Sequence, residues 1–165
     1  MAARLLDDEK IETYLGRLQP HTQEALVRAR GRASGHGEPL RGMPLLVYAL
    51  ITEQQRPAGA YDLIDAISRF AGRSVRPPTV YRAIDQLIAR KLVARVASKN
   101  AFVTCAHPGH SHDCVLLVCD KCGRTAELED RRLDRLILED VRRTGFEPRH
   151  RTLEVEGTCK TCLGA

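Results

Sequence analysis

Four of the six cysteines in this 165-residue chain form two short pairs whose spacing could hold a metal ion. Cys119 pairs with Cys122, and Cys159 pairs with Cys162, with two residues inside each pair. Four thiolates in this arrangement satisfy tetrahedral Zn²⁺ and leave no coordination position open for a substrate. The sequence therefore predicts a structural zinc site.

A second group of potential ligands precedes the paired cysteines. Within ten residues the chain carries two cysteines and three histidines: Cys105, His107, His110, His112 and Cys114. Glu127 comes close to this segment if its strand pairs with residues 115–118. Thiolate, imidazole and carboxylate together suit an exchangeable Zn²⁺. We predict a metal-binding hinge over residues 105–113, where an ion would set the orientation of the two flanking domains, as a switch requires.

Charge and cysteine usage both change at about residue 100. All six cysteines lie between Cys105 and Cys162. Residues 1–98 hold fifteen Lys and Arg against ten Asp and Glu, whereas residues 99–165 hold eleven of each. A basic first part indicates a module that binds a polyanion. The chain has only four Tyr, three Phe and no Trp, which argues against a stacking platform for single-stranded nucleic acid.

Nothing in the chain predicts a membrane segment. The longest apolar run, residues 45–51, falls short of the about 18 residues that a membrane helix needs. The first residues lack the apolar core of a signal peptide. We therefore expect a cytoplasmic protein with no membrane partner, in which paired cysteines bind metal rather than form disulfides.

Apolar periodicity predicts the elements of the first hundred residues. Residues 1–40 read as an N-terminal extension and helical arm, with helical spacing before Pro20 and a glycine-rich connector at 31–42. Residues 41–104 show three amphipathic helices followed by two strand-like runs around a turn at 98–100. Three helices and a hairpin form a winged helix-turn-helix domain, in which the third helix is the recognition helix.

The recognition helix presents polar side chains on the face opposite its apolar stripe. The outward residues include Thr79, Arg82 and Gln86, with Tyr81 at the flank. Arg82 lies near the end that enters the major groove in helix-turn-helix proteins, and an arginine there can bind guanine with two hydrogen bonds. The same pattern also fits a solvated helix face, so DNA binding is one of two interpretations at this point.

Residues 114–165 follow a different order of strand, strand, helix and strand. A domain this small needs a metal ion or a partner chain to fold. The whole chain is therefore predicted to be an α+β protein, with a winged-helix domain first and a small α/β domain with structural zinc second.

The motifs together resemble the ferric uptake regulator family, and most of all its zinc uptake regulator branch. The resemblance covers roughly residues 45–162 and is carried by residues 77–85, PPTVYRAID, and by both cysteine pairs. It implies a homodimer, with residues 114–165 as the dimerisation domain. It also implies zinc-dependent repression at inverted-repeat, A/T-rich operators in double-stranded DNA near zinc-uptake genes.

The resemblance also assigns roles to residues. It implies that Cys105, His112 and Glu127 are three of the four regulatory zinc ligands. The fourth ligand position falls on Ala94, so His107, His110 or Cys114 replaces it or water completes the shell, and we favour His107 or His110. His150 is a further candidate ligand. These roles come in addition to the structural zinc at the paired cysteines, which makes at least two zinc ions per chain.

On the DNA-binding side, the resemblance implies that Tyr81 and Arg82 contact DNA and that Asp65 joins contacts between adjacent dimers. The basic partner expected near Ser68 is absent, although Arg69 is adjacent. Residues 40–44, LRGMP, depart from the family's Leu-Thr-Pro-Gln-Arg motif, which leaves the phosphate contacts there unassigned.

Two rival functions follow from the same residues. A sister regulator of the same fold could sense iron, manganese, nickel or peroxide, although a cysteine ligand disfavours iron and manganese. A zinc hydrolase or deaminase is the rival of another class. Deaminases need an H-x-E motif and a P-C-x-x-C segment, but the chain's H-x-E is His36–Glu38, in the connector, and no proline precedes either cysteine pair. We therefore predict a regulator that is not an enzyme.

Overall fold

A computed structural model describes residues 6–33, 39–105, 115–148 and 153–164. The chain divides into two compact units, Met1–His110 and Ser111–Ala165. Helices dominate the first unit and a sheet organises the second, which confirms the predicted α+β class.

The first unit contains five helices and a small sheet. They are α1 (Asp8–Leu15), α2 (Pro20–Ala33), α3 (Gly42–Gln54), β1 (Ala58–Gly59), α4 (Ala60–Ala71), α5 (Pro77–Ala89), β2 (Val93–Val96) and β3 (Ala101–Thr104). The strands form an antiparallel sheet in the order β1-β3-β2. Helices α3 to α5 and the β2–β3 hairpin form the winged helix-turn-helix that the sequence predicts.

Local sequence explains the limits of α5 and of the wing. Pro77 and Pro78 occupy the first turn of α5, where their missing N–H groups cost nothing. Its apolar stripe is buried, with Val80, Ile84 and Leu87 in the core. In the hairpin turn, Asn100 adopts a left-handed φ of 46° and accepts a 2.8 Å hydrogen bond from the Arg95 guanidinium.

The N-terminal helices belong to the same core as the winged helix. Ile11 and Leu15 on α1 are buried, and so are Leu26 and Ala29 on α2. The α1 helix also contacts α4, because the rings of Tyr14 and Phe70 lie 5.0 Å apart. Residues 6–33, predicted as an extension, therefore supply two helices that pack on the DNA-binding domain.

A polar contact joins α2 to α3 as well. The Glu53 carboxylate of α3 accepts hydrogen bonds from the Gln19 backbone N–H at 3.3 Å and from the Thr22 hydroxyl at 2.5 Å. The carboxylate thus satisfies donors at the N-terminus of α2, where negative charge is favoured. Because Thr22 is completely buried, its hydrogen bond to Glu53 fixes α2 to α3 within the packed interior.

The second unit contains β4 (Val115–Cys119), β5 (Thr125–Leu128), α6 (Arg131–Arg143), β6 (Leu153–Gly157) and α7 (Lys160–Leu163). The sheet order is β5-β4-β6, with β4 antiparallel to β5 and parallel to β6. A parallel pair needs a long crossover, which here includes α6. The predicted order of strand, strand, helix and strand is observed, and α7 is an additional short helix.

The second unit leaves much apolar surface exposed. No residue of α6 is buried. Six of the large apolar side chains described in this unit are between 36 and 73% exposed: Leu117, Leu128, Leu136, Phe146, Val155 and Leu163. Three of them, Leu117, Leu128 and Val155, share one face of the sheet by strand register. Among the described helices of both units, none has the length and apolarity to span a bilayer.

The packing of the arm predicts a large effect of one substitution in α2. Leu26→Ala should destabilise the first unit by about 2–5 kcal/mol, because it leaves a cavity in the shared core. Its neighbour provides a matched control: Leu26 is 5% exposed and Val27 is 71% exposed. Val27→Ala should change the free energy of unfolding by no more than about 0.5 kcal/mol. Urea unfolding followed by circular dichroism measures both, and an equal, small effect would contradict the packing.

Candidate metal centre and nucleic-acid interface

The two cysteine pairs meet at one end of the second unit. Cys119 ends β4, and the turn that follows brings Cys122 back towards it. Gly123, the next residue in this turn, has a left-handed φ of 72° that suits glycine. Cys159 is the N-cap of α7, and Cys162 lies within that helix. A tight turn and a single helical turn therefore aim all four sulfurs at the same point.

The distances between the sulfurs match a tetrahedral zinc site. All four Sγ atoms lie within 4.8 Å of one another, and those of Cys122 and Cys159 are 3.7 Å apart. Zinc–sulfur bonds of about 2.3 Å in a regular tetrahedron separate the sulfurs by about 3.8 Å. The cluster therefore has the donor type, the donor number and the spacing of a closed structural site.

Proton affinities within the cluster show why it needs a cation. Backbone N–H groups of Cys122 and Cys159 lower the pKa of the Cys119 thiol to about 6, and the Cys159 N–H lies 3.3 Å from that sulfur. The pKa of the Cys162 thiol is raised to about 12, and the largest cause is its contact with the Cys122 side chain. Neighbouring thiolates repel one another, and a bound Zn²⁺ removes this conflict because it deprotonates all of its ligands.

Hydrogen bonds tie the two ends of the unit together around the cluster. The Asp120 N–H donates to the Gly157 carbonyl at 2.9 Å, and the Thr158 hydroxyl donates to the Asp120 carboxylate at 3.2 Å. The parallel β4–β6 pairing places Cys119 opposite Gly157. The metal would thus reinforce a junction that the sheet already forms.

The predicted regulatory ligands fall in both units and partly outside the described residues. Cys105 follows β3 in the first unit, where it is buried and its N–H donates to the Leu92 carbonyl at 3.0 Å. Glu127 is a half-buried residue of β5 in the second unit and pairs with Leu116, as the predicted strand pairing requires. The other candidate ligands, His107, His110, His112, Cys114 and His150, lie outside the described residues.

The position that resemblance assigns to a fourth ligand carries no ligand. Ala94 lies on β2 opposite Val103, and its methyl group cannot bind a metal ion. The fourth ligand of the predicted regulatory site therefore does not come from this position of β2.

The recognition helix α5 displays the predicted DNA-binding residues. Tyr81, Arg82 and Gln86 are exposed, and Thr79 is half-buried. Asp65, predicted to lie between dimers, is exposed on α4. The basic and hydrogen-bonding side chains of α5 thus lie on the surface, while its apolar residues attach the helix to the core.

Comparison with known proteins identifies the family that shares these features. The family model described as "Ferric uptake regulator family" matches residues 47–156. The chain belongs to the ferric uptake regulator family. The zinc uptake regulation protein of Escherichia coli strain K12 is 32% identical over 143 residues, which cover 86% of this chain and 83% of that protein.

Solved structures give the same result. A zinc uptake regulator complexed with zinc and DNA is 31% identical, with a TM-score of 0.80 over 88% of this chain and 97% of that one. The crystal structure of holo XcZur is 36% identical, with a TM-score of 0.79 over 86% of this chain and 99% of that one. These relatives confirm the resemblance to the zinc uptake regulator branch.

One group of surface residues escaped the sequence analysis. Arg41, which precedes α3, lines the same groove as Gln86 and Arg90 of α5. These residues are far apart in the chain and only the packing of α3 against α5 brings them together. The sequence already placed Gln86 and Arg90 on the outward face of the recognition helix, so the position of Arg41 beside them is what it did not show.

The geometry of the cysteine cluster predicts the outcome of removing one ligand. Cys122→Ser should lose one tightly held zinc ion per chain and unfold the second unit, because structural zinc contributes on the order of 10 kcal/mol to folding. Metal analysis and hydrogen exchange of residues 115–164 measure these effects. Lys121→Ala, an exposed neighbour in the same turn, is the control and should keep both metal and protection. A Cys122→Ser protein with full zinc content would contradict the assignment.

Proposed function

We propose that this protein is a zinc-responsive transcriptional repressor that acts in the cytoplasm as a homodimer. When its hinge site holds zinc, it binds inverted-repeat, A/T-rich operators of zinc-uptake genes. The observation that carries this proposal is the exposed Tyr81–Arg82 face of α5 in a chain that also gathers four cysteine sulfurs. It is supported by a relative solved with zinc and DNA, to which 88% of the chain aligns.

DNA recognition depends on the first half of α5. Arg82 lies close to the start of that helix, the end that enters the major groove in helix-turn-helix proteins. Its guanidinium can donate two hydrogen bonds to one guanine, while Thr79, Tyr81 and Gln86 can bind phosphate or neighbouring base edges. Because Val80, Ile84 and Leu87 are buried, α5 cannot rotate within its domain to alter this face.

We assign the structural role and the sensing role to two different zinc sites. The ligands Cys119, Cys122, Cys159 and Cys162 would hold a permanent ion, since a closed four-thiolate site stabilises the fold it belongs to. A sensor must exchange its ion without unfolding. We assign that role to Cys105, His112 and Glu127, with His107 or His110 as the fourth ligand; Cys114 and His150 are reserve candidates.

Cys105 connects the regulatory ion to the DNA-binding domain. Its backbone is bound to Leu92, and its buried side chain lies close enough to Tyr48 to affect that residue's phenol. The pKa of Tyr48 is raised to about 12, mainly because the phenol is buried and secondly because Cys105 lies near it. The phenol therefore keeps its proton. The regulatory ion would thus bind at a rigid position of the core. It acts only through its higher affinity for the DNA-binding arrangement of the dimer.

The exposed apolar residues of the second unit support homodimerisation. A helix with no buried residue and a sheet face that exposes Leu117, Leu128 and Val155 are costly in water. A second copy of the chain would cover this surface. The two recognition helices would then be available to read the two halves of an inverted repeat.

The ligand chemistry favours zinc among the metals that this family could sense. A thiolate from Cys105 suits zinc, whereas iron and manganese prefer nitrogen and oxygen ligands. A sister regulator that senses iron, manganese, nickel or peroxide is the alternative, and titration with each metal in the DNA-binding assay distinguishes the two.

Replacing Cys105 should uncouple zinc from DNA binding. The operator is first selected from a random duplex library by the zinc-loaded protein, and fluorescence anisotropy then follows binding as zinc is titrated. Cys105→Ser and His112→Ala should lose the zinc response and remain folded dimers with the structural zinc in place. Thr104→Ser, next to Cys105 on β3, is the matched control. A Cys105→Ser protein that still binds the operator only with zinc would show that the regulatory site lies elsewhere.

Charging the exposed sheet face should dissociate the dimer. Val155→Glu places a carboxylate on an apolar face that the second copy would bury, and an unpaired buried charge is strongly unfavourable. Sedimentation velocity should show a shift from dimer to monomer. Val27→Glu is the control because Val27 is also exposed but lies on α2 in the first unit. Dimers of unchanged stability in both variants would place the interface on another surface.

A further inference from the structure

A groove of about 500 Å³ lies beside the recognition helix. Its walls come from the segment that enters α3 and from the second half of α5, and its lining is Pro39, Leu40, Arg41, Pro44, Gln86 and Arg90. We call this surface the basic groove, because the charged side chains among these described residues are both arginines.

The basic groove continues the predicted DNA-binding face of α5. Gln86 and Arg90 stand four and eight positions after Arg82, so the three residues follow one side of the helix. Eight residues of α-helix correspond to a rise of about 12 Å. The major groove of B-DNA is also about 12 Å wide. A side chain this far along the helix from Arg82 can contact the DNA backbone while Arg82 contacts bases.

We propose that Arg41 and Arg90 together bind a backbone phosphate of the operator at the edge of the major groove that Arg82 reads. This inference rests on the proposed function, and it names a second part of the DNA surface that the recognition helix alone does not provide. Arg41 contributes from the N-cap position of α3 and Arg90 from the C-cap position of α5.

The chemistry of the basic groove suits a phosphate better than a base. Guanidinium groups donate in a planar fork that matches two phosphate oxygens. Pro39, Leu40 and Pro44 form apolar walls, which the aliphatic stems of the arginines can cover while their charged ends face outward. Such walls also exclude water and so strengthen the attraction between guanidinium and phosphate.

Acidic neighbours of Arg41 lie on another side of it. Asp8 and Glu12 line a separate, smaller hollow with Arg41 and Gly42. The Glu12 carboxylate is bound by the Arg30 guanidinium at 2.6 Å, which neutralises it. Among the described residues that line the basic groove, both charged side chains are arginines.

Residues 40–44, which depart from the family motif, supply one side of the basic groove. In this chain Arg41 precedes α3 directly, and Pro44 lies in its first turn. The packing of α3 against α5 brings Arg41 and Arg90 to one groove, where the proposed phosphate contact would carry no sequence information of its own.

The salt dependence of DNA binding tests this inference. Binding of the zinc-loaded full chain is measured at several salt concentrations on the selected operator and on an unrelated duplex of equal length. Arg41→Ala and Arg90→Ala should each weaken binding by the same factor on both duplexes. The plot of log K against log salt has a negative slope. Each variant should reduce the magnitude of that slope, by up to about 0.9 for the phosphate that the two arginines share.

Three further variants make the result interpretable. Arg17→Ala, which removes an exposed positive charge in the turn after α1, should leave the slope as in the unmodified protein. Arg41→Lys keeps the charge and should retain the slope, which separates removal of the charge from damage to the fold. Arg82→Ala should instead reduce the preference for the operator over the unrelated duplex.

The outcomes separate this inference from the proposed function. Slopes of Arg41→Ala and Arg90→Ala equal to that of Arg17→Ala would overturn the phosphate contact, and so would a weakening confined to the operator. Failure of the unmodified protein to select any operator with zinc would overturn the proposed function. In that case the slopes on the unrelated duplex still decide whether Arg41 and Arg90 bind phosphate.

Discussion

Convergence of four cysteine sulfurs at one point is the constraint on which the second unit depends. That unit has a three-stranded sheet and a helix without a single buried residue, so its own apolar core is small. A zinc ion would join the end of β4 to the residues after β6, which are the first and last parts of the sheet. Because folding and tight metal binding are then the same event, this ion cannot report changes in zinc supply. The proposed zinc response therefore needs a separate, weaker site, which we assign to the hinge.

The first unit is held together in a different way. Its stability comes from an apolar core to which the arm contributes Ile11 and Leu26, and from the Glu53 carboxylate that binds the start of α2. The core attaches α5 to α3, so the spacing between Arg82 on one helix and Arg41 at the end of the other is set before DNA is bound. Such preorganisation reduces the entropy lost when side chains are ordered on binding.

Features that depend on neighbours in the sequence were predictable, and features that depend on packing were not. The apolar stripe of α5, the β2–β3 hairpin and the cysteine pairs follow from spacings of a few residues. By contrast, periodicity shows that Leu26 lies on an apolar face and does not show what covers it, so residues 1–40 were interpreted as an extension. The groove between Arg41 and Arg90 arises from helix packing, and β1 and α7 are too short to have a period. The hinge histidines lie outside the described residues, and their role stays a prediction.

The path from the hinge to the recognition helix limits how zinc could control DNA binding. The Cys105 N–H donates to the carbonyl of Leu92, and the Leu92 N–H donates at 2.9 Å to the carbonyl of Leu87 on α5. Both Leu87 and Leu92 are buried, so Cys105 belongs to the same rigid body as the recognition helix. An ion bound at Cys105 would therefore not move α5 within its domain. In the proposed homodimer its effect would fall on the separation of the two recognition helices, which an inverted repeat would read as the spacing between half-sites.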